Sequence, residues 1–166
     1  TKLKNSLDEK TIFVCCSKGL EMNSLRLPSQ IVSSIFPKNR IAIISGPNFA
    51  AEIAKGLPAA TTVASKHEDV SKKIANLIKS PTLRPYLSSD IIGSQIAGAL
   101  KNIYAIASGI VVGKKYGENA VASIISRSFA EITTVAKSMN AKKSTLAGLS
   151  GMGDLFLTCS SRESRN

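Results

Sequence analysis

The residues best equipped for chemistry are two lysines, a carboxylate and an arginine, and they fall in three short stretches. The first stretch, QIAGALKNIYAIASG at 95–109, is an apolar helix-forming run with Lys101 and Asn102 at its centre. A lysine ordinarily titrates near about 10.4, and removal from water disfavours its charged form. Such a group can polarise a ketone and pass a proton to the developing alkoxide, then take it back in reverse. It can also form a Schiff base with a carbonyl. At about 100° per residue and with Lys101 at zero, Ser94, Gln95, Gly98, Asn102, Ala105 and Gly109 fall between roughly 0° and 120°, with Ser108 just outside at about −20°. The rest of the helix is mostly Ile, Leu, Val, Tyr and Ala, apolar enough to be packed on its other sides. A stripe of small and polar residues is the make-up of a pocket wall. The same pattern also fits a lysine reaching from a buried helix to water, and this helix alone leaves both readings open.

The second group of residues lies at strand ends. TIFVCC is followed by SKG, so Lys18 comes at the carboxyl end of a strand, where open α/β sheets bind ligands. RIAIIS runs into GPNF, where Gly46 permits close backbone approach just ahead of a helix start and its unpaired amides. Such a turn also serves simply to reverse the chain. The third stretch, SGMGDLFLTCSSRESRN, offers Asp154 at a helix start, Thr158 one turn later, then Ser164, Arg165 and Asn166. Asp154 is either a helix cap or a partner for the Lys101 ammonium. Arg165 is the forked donor that suits a phosphate.

The elements that must position these groups change character along the chain. TIFVCC, apolar on both faces, reads as a buried parallel strand. RIAIIS and AATTVAS are further strands, and TLRPYLSSD supplies a short last one. Between them, helical periods run through Leu25, Leu27, Ile31, Val32 and Ile35 (with Pro28 inside), through FAAEIAKG, and through HEDVSKKIANLIKS. The last of these places Val70, Ile74, Leu77 and Ile78 on one face. His67 reads as a solvated residue at its start. Beyond residue 90 the spacing predicts long helices, the second starting near Glu118 and ending by Asn140, then a glycine-rich loop and a helix from Asp154. Residues 1–90 therefore form an α/β part and residues 91–166 an all-helical part. Three or four strands are few for a doubly wound sheet, and the chain is expected to be part of a longer one.

Composition narrows the classes. The 166 residues are 43% hydrophobic and 20% charged, as in globular proteins. No uninterrupted apolar run reaches the roughly 18 residues of a membrane span, and TKLKNSLDEK carries no signal-peptide pattern, so no integral membrane association is expected. Cys15 and Cys16 are neighbours on a strand and point to opposite faces, so reduced thiols are expected of them. Lys and Arg outnumber Asp and Glu by 22 to 11, a net charge of +11 that favours an anionic partner. The basic residues are dispersed and no aromatic is interleaved with them, so no nucleic-acid partner is expected. No metal-ligand set, P-loop or G-x-G-x-x-G motif is present.

SKGLE, ISGPNFAAEIAKGLPAATTVAS, QIAGALKNIYAIASGI and GMGDLFLTCSSRESRN resemble, in order and spacing, the bacterial-type NAD(P)-dependent glycerol-3-phosphate dehydrogenases. The resemblance implies the C-terminal portion of a Rossmann-like dinucleotide-binding domain over 1–90. It implies the N-terminal portion of a helical, 6-phosphogluconate-dehydrogenase-like domain over 91–166. The implied reaction is hydride transfer from NAD(P)H to dihydroxyacetone phosphate, giving sn-glycerol 3-phosphate for phospholipid synthesis. By the same resemblance, Lys101 is the proton donor and acceptor and Asp154 its orienter. Substrate would be held by Lys18, Gly46, Asn48, Asn102, Thr158, Ser164, Arg165 and Asn166, and the cofactor by Lys18, Ala50 and Arg165. A cytoplasmic enzyme is implied, and a homodimer is an assembly the family allows. Residue 48 is Asn where the family commonly carries Thr or Ser. The strands bearing the family's glycine fingerprint and its last helical segment have no counterpart here, so these 166 residues alone are expected to bind NAD(P)H poorly. A ketopantoate-type or hydroxyacid reductase of the same two-part plan is the alternative enzyme. A basic nucleic-acid-binding module and a Schiff-base aldolase are more distant readings.

Overall fold

The computed structural model describes residues 6–161 and residue 164. Four strands lie side by side in chain order: β1 (Ile12–Cys15), β2 (Arg40–Ser45), β3 (Ala59–Ala64) and β4 (Leu83–Ser88). Helices α1 (Pro28–Ile35), α2 (Ala50–Ala54) and α3 (Glu68–Ile78) alternate with them. After β4 the chain is helical: α4 (Ile91–Gly113), α5 (Glu118–Ser138), α6 (Lys143–Ala147), a π turn at Leu149–Gly153, and α7 (Asp154–Ser160). An α/β part followed by an all-helical part is thus the architecture expected from the sequence.

The sheet is mixed. β1 pairs with β2 in parallel and β3 with β4 in parallel, but β2 and β3 are antiparallel, with Ile44 opposite Val63. A parallel crossover needs a helix long enough to carry the chain back along the sheet. The five residues of α2 are too few for that, and an antiparallel partner starts where β2 ends. β1, read as buried on both faces, is instead an edge strand with Val14 40% exposed.

Alternation along β2 sends its side chains into two layers. Ala42 packs with Val63 and with Val70, Ile74 and Ala75 of α3, whereas Ile41 and Ile43 pack with Ala64, Ile91 and Val32 on the other face. On α3 the packed arc runs from Val70 through Ile74 and Ile78 to Ala75. Leu77, assigned to that arc by spacing, lies about 20° outside its edge on the wheel and is exposed. Pro28 does not interrupt α1; it begins it. Its fixed φ and missing N–H suit a first helical residue, and Gln30 Oε1 accepts the Leu27 N–H at 2.8 Å.

Two buried side chains fix the helical part against the sheet. Asp90 caps α4 by accepting the Gly93 N–H at 2.8 Å, and its other oxygen accepts the Lys142 N–H at 2.7 Å. Gln95 accepts the Ser29 N–H at 3.0 Å and donates to Ser29 Oγ at 2.8 Å, pinning the start of α1 to α4. Leu27, fully buried, joins Ile96, Ala105, Ile132, Leu146 and Leu155 in the helical core. The segment between β1 and α1, which carries Lys18, is therefore tied down at its far end by α4.

Helix α4 is not packed on all its apolar sides as the wheel suggested. Ser94, Gln95, Gly98, Ala105 and Ser108 are buried, while Ile103, Ile106, Ile110 and Val112 are each more than half exposed. By length and composition it is long and apolar enough to cross a membrane, yet Ile96, Ala97 and Ala105 lie in the core shared with α5 and α7. Burial follows the small-and-polar stripe, because that is the side on which the other elements approach.

Candidate active site

Lys18, Lys101, Asp154 and Thr158 converge where the carboxyl ends of β1 and β2 meet α4 and α7. The Asp154 carboxylate, 3% exposed, is shared between two ammonium groups. Oδ1 accepts from Lys101 Nζ at 2.5 Å and Oδ2 from Lys18 Nζ at 3.2 Å. Lys101 Nζ also donates to Thr158 Oγ1 at 3.0 Å, and that hydroxyl donates to the Asp154 carbonyl at 2.6 Å, one helical turn back. These contacts bear on both alternatives left open by the sequence. Asp154 makes no side-chain cap bond, since both its oxygens are spent on lysines. Lys101 does not reach to water: its side chain is 15% exposed and doubly held.

The small residues of α4 have a specific use. A Cβ on Gly98 would lie 2.7 Å from Lys18 Cδ and 3.0 Å from its Nζ, so the bare helix surface there is the channel through which the Lys18 stem passes. Lys18 Nζ further donates to Ser45 Oγ at 2.6 Å. Burial pushes the Lys18 ammonium below its ordinary range, Asp154 opposes that shift, and the nearby Lys101 adds to it. Two cations around one carboxylate leave the cluster with one net positive charge, suited to an anionic ligand. Cys159 lies buried close by, its thiol pushed up to about 11 chiefly by desolvation, so it remains a protonated spectator.

The turn after β2 closes the other side. Gly46, at φ +157°, is tightly enclosed, since a Cβ would meet Asn48 Nδ2 at 3.1 Å, Thr61 Cα at 3.3 Å and Ala60 O at 3.4 Å. Asn48 donates to Thr61 Oγ1 at 2.9 Å, and its Oδ1 is buried without a partner among the described residues. That oxygen is an acceptor held ready for a donor. Ala50 begins α2 and is exposed. Asn102 is half-buried beside Lys101, and Ser164 is half-buried beyond α7. Arg165 and Asn166 lie outside the described residues.

Three contributors were not singled out by sequence. Ser45 anchors Lys18, and Ser150 in the π turn donates to the Ser45 carbonyl at 3.4 Å. Gly151 sits so close to Leu146 O that a Cβ would overlap it, which fixes the π turn ahead of Asp154. Ser45 lies at the last residue of a strand whose parallel neighbour ends three residues before Lys18. A separate cavity of 360 Å³ between β3–β4 and α6 is lined by Thr62, Tyr86, Ser88, Ser144 and Thr145 and has no charged side chain.

A mixed sheet thus presents one lysine, faced by helices that present a second lysine and a shared carboxylate, and comparison with known proteins gives the family. The family model for the N-terminus of NAD-dependent glycerol-3-phosphate dehydrogenase matches residues 1–71, and that for its C-terminus matches residues 90–166. The chain belongs to the NAD-dependent glycerol-3-phosphate dehydrogenase family. It is 50% identical over 153 residues to the glycerol-3-phosphate dehydrogenase (NAD(P)+) of Zymomonas mobilis, covering 92% of this chain and 45% of that one. The Brucella ovis enzyme of the same name is 43% identical over all 166 residues, which are 51% of its length. The crystal structure of glycerol-3-phosphate dehydrogenase from Coxiella burnetii superposes with a TM-score of 0.95 at 38% identity, over 99% of this chain and 50% of that one. The chain spans about half the length of the relatives it matches.

Proposed function

We propose that this chain supplies the substrate-facing half of an oxidoreductase that interconverts dihydroxyacetone phosphate and sn-glycerol 3-phosphate with NAD(P)(H). The observation that carries the reading is the single buried carboxylate of Asp154 bridging Lys18 and Lys101. A ketone under reduction needs an acid at its oxygen, and an anionic substrate needs uncompensated positive charge; this cluster supplies both.

The residues divide the work as follows. Lys101 Nζ donates its proton to the carbonyl oxygen as negative charge develops there, and receives it from the alcohol in the reverse direction. Asp154 and Thr158 fix that nitrogen from two sides, which keeps its third N–H direction free to be aimed at substrate. Lys18 brings the second charge, with Gly46 admitting substrate close to the backbone and Asn102 and Asn48 offering amide groups. Ser164, Arg165 and Asn166 would grip the phosphate. When bound, the nicotinamide cofactor supplies the hydride. The described residues suit such a group at the GPNF turn, where Asn48 Oδ1 is a buried acceptor with no partner among the described residues, and Ala50, Lys18 and Arg165 would adjoin it. A cytoplasmic location and a homodimer belong to the same reading, which rests for them on family membership.

The test is substrate choice in the enzyme carrying this chain. Reduction of dihydroxyacetone phosphate is expected at least a hundredfold above that of unphosphorylated dihydroxyacetone, in line with the weight of charge-assisted phosphate contacts. Preference for an unphosphorylated keto acid would instead support the ketopantoate-type alternative. Gly98→Ala probes the same reading from the side of α4. Alanine is favoured over glycine within a helix by about 1 kcal/mol, so the melting temperature should hold or rise. The displaced Lys18 should nevertheless raise KM for dihydroxyacetone phosphate roughly tenfold or more. Unchanged KM would show that the Lys18 position does not matter to substrate.

A further inference from the structure

We infer that Ser45 is a positioning residue for Lys18: its hydroxyl latches the Lys18 ammonium, and its carbonyl registers that latch against the helical part of the molecule. Lys18 has two partners of different kinds. Asp154 Oδ2 at 3.2 Å supplies charge from α7, whereas Ser45 Oγ at 2.6 Å supplies the shorter contact from the end of β2. Asp154 is shared with Lys101, so it cannot by itself dictate where the Lys18 nitrogen sits.

Ser45 is well placed to do so. It is 3% exposed and lies inside a strand, where its backbone is fixed by pairing to Thr62 of β3. Its carbonyl accepts from Thr61 Oγ1 at 3.3 Å and from Ser150 Oγ at 3.4 Å, so β3 and the π turn both hold it. Ser150, 1% exposed, precedes Gly151, whose position against Leu146 leaves the turn no latitude. One residue therefore connects the sheet edge, the turn leading into Asp154 and the Lys18 ammonium. The groups facing that ammonium are Ser45 from β2, Asp154 from α7, Lys101 from α4, and Cys16 from its own segment. A hydroxyl that accepts from an ammonium favours its charged form, and here it works against the cost of burial.

The test reads Lys18 directly and needs no substrate. Only the neutral amine reacts with acetic anhydride, so the rate of Lys18 acetylation across pH, resolved by peptide mass spectrometry and referenced to exposed Lys66, follows its titration. Ser45→Ala is expected to move the Lys18 midpoint to lower pH and to raise its rate at about pH 8 by roughly three- to tenfold. Ser45→Thr, which keeps the hydroxyl, should restore it to within about twofold. Ser45→Cys, of nearly the same size with a weak acceptor, should behave as Ser45→Ala and serves if the alanine variant does not fold. An unshifted midpoint in a folded Ser45→Ala or Ser45→Cys variant overturns the inference, as does a rise of equal size at every pH, which marks general loosening. The role of Lys18 toward substrate rests on the function proposed above. Failure to turn over dihydroxyacetone phosphate would sink that function and leave the Ser45–Lys18 coupling standing, and an unshifted midpoint would do the reverse.

Discussion

Replacing Lys101 with methionine should lower kcat for dihydroxyacetone phosphate reduction by about 10³-fold or more, with a much smaller change in KM. A positioned general acid contributes roughly 10² to 10⁴ in rate, and here the same group also stabilises the developing alkoxide. Methionine keeps the length and flexibility of the lysine stem, so the packing of α4 against α7 should survive. Substrate would still meet Lys18, which is why binding should suffer less than turnover. Lys101→Arg is the sharper control. It keeps the charge but not a proton that can be given up near neutral pH, and should recover no more than a small fraction of the rate. Steady-state kinetics on both variants check this. A Lys101→Arg enzyme with near-normal kcat would remove Lys101 from proton transfer.

Asp154→Asn should be costly twice over. Its carboxylate neutralises one of two ammonium groups that are 25% and 15% exposed, and without it they face each other in a largely dry site. Removing one partner of a buried ion pair costs about 3 kcal/mol or more, which for a chain of this size lowers the melting temperature by roughly 6–12 °C. The carboxylate raises the Lys18 titration point against burial, so its loss should lower that point further. The sign with pH follows. The stability that Asp154 confers is present while the lysines are protonated. Its Lys18 share is lost as pH rises through the folded-state titration of Lys18, which begins below its ordinary 10.5. Melting curves of the two proteins should therefore converge toward alkaline pH. Turnover should fall by about 10²-fold or more, because Lys101 loses the partner that orients it. A variant that melts and turns over like the parent would show the bridge to be incidental.

Much of the architecture was legible because it rests on local pattern. The β-branched runs at Ile12–Cys15, Arg40–Ser45 and Ala59–Ala64 form strands, and the apolar spacing of Glu68–Ile78 forms a helix. The closing Gly56 marked the end of FAAEIAKG, but strand direction was not legible, because it depends on how far so short a helix carries the chain. The exposed side of α4 was misjudged for a related reason: a wheel ranks faces by polarity but does not say which face the neighbours occupy. In the site, Lys101, Asp154, Thr158 and Lys18 could be nominated from residue type and element ends. Their convergence was not legible from residue type or spacing, since 136 residues separate Lys18 from Asp154, and only the family resemblance implied it. Ser45 escaped because serine at a strand end is common, and only the 2.6 Å contact distinguishes it.

The passage of the Lys18 stem over Gly98 has a consequence for how such a sequence can drift. The two positions lie on different elements, yet they share one small volume, with 2.7 Å between the stem and any added carbon. A mutation that enlarges residue 98 pushes the residue 18 stem aside, and a residue 18 that is turned aside or shortened no longer reaches Asp154. Neither codon can change first without loss. The pair should be inherited as a unit, glycine with lysine, wherever descendants of this chain keep the bridge between the two halves of the site.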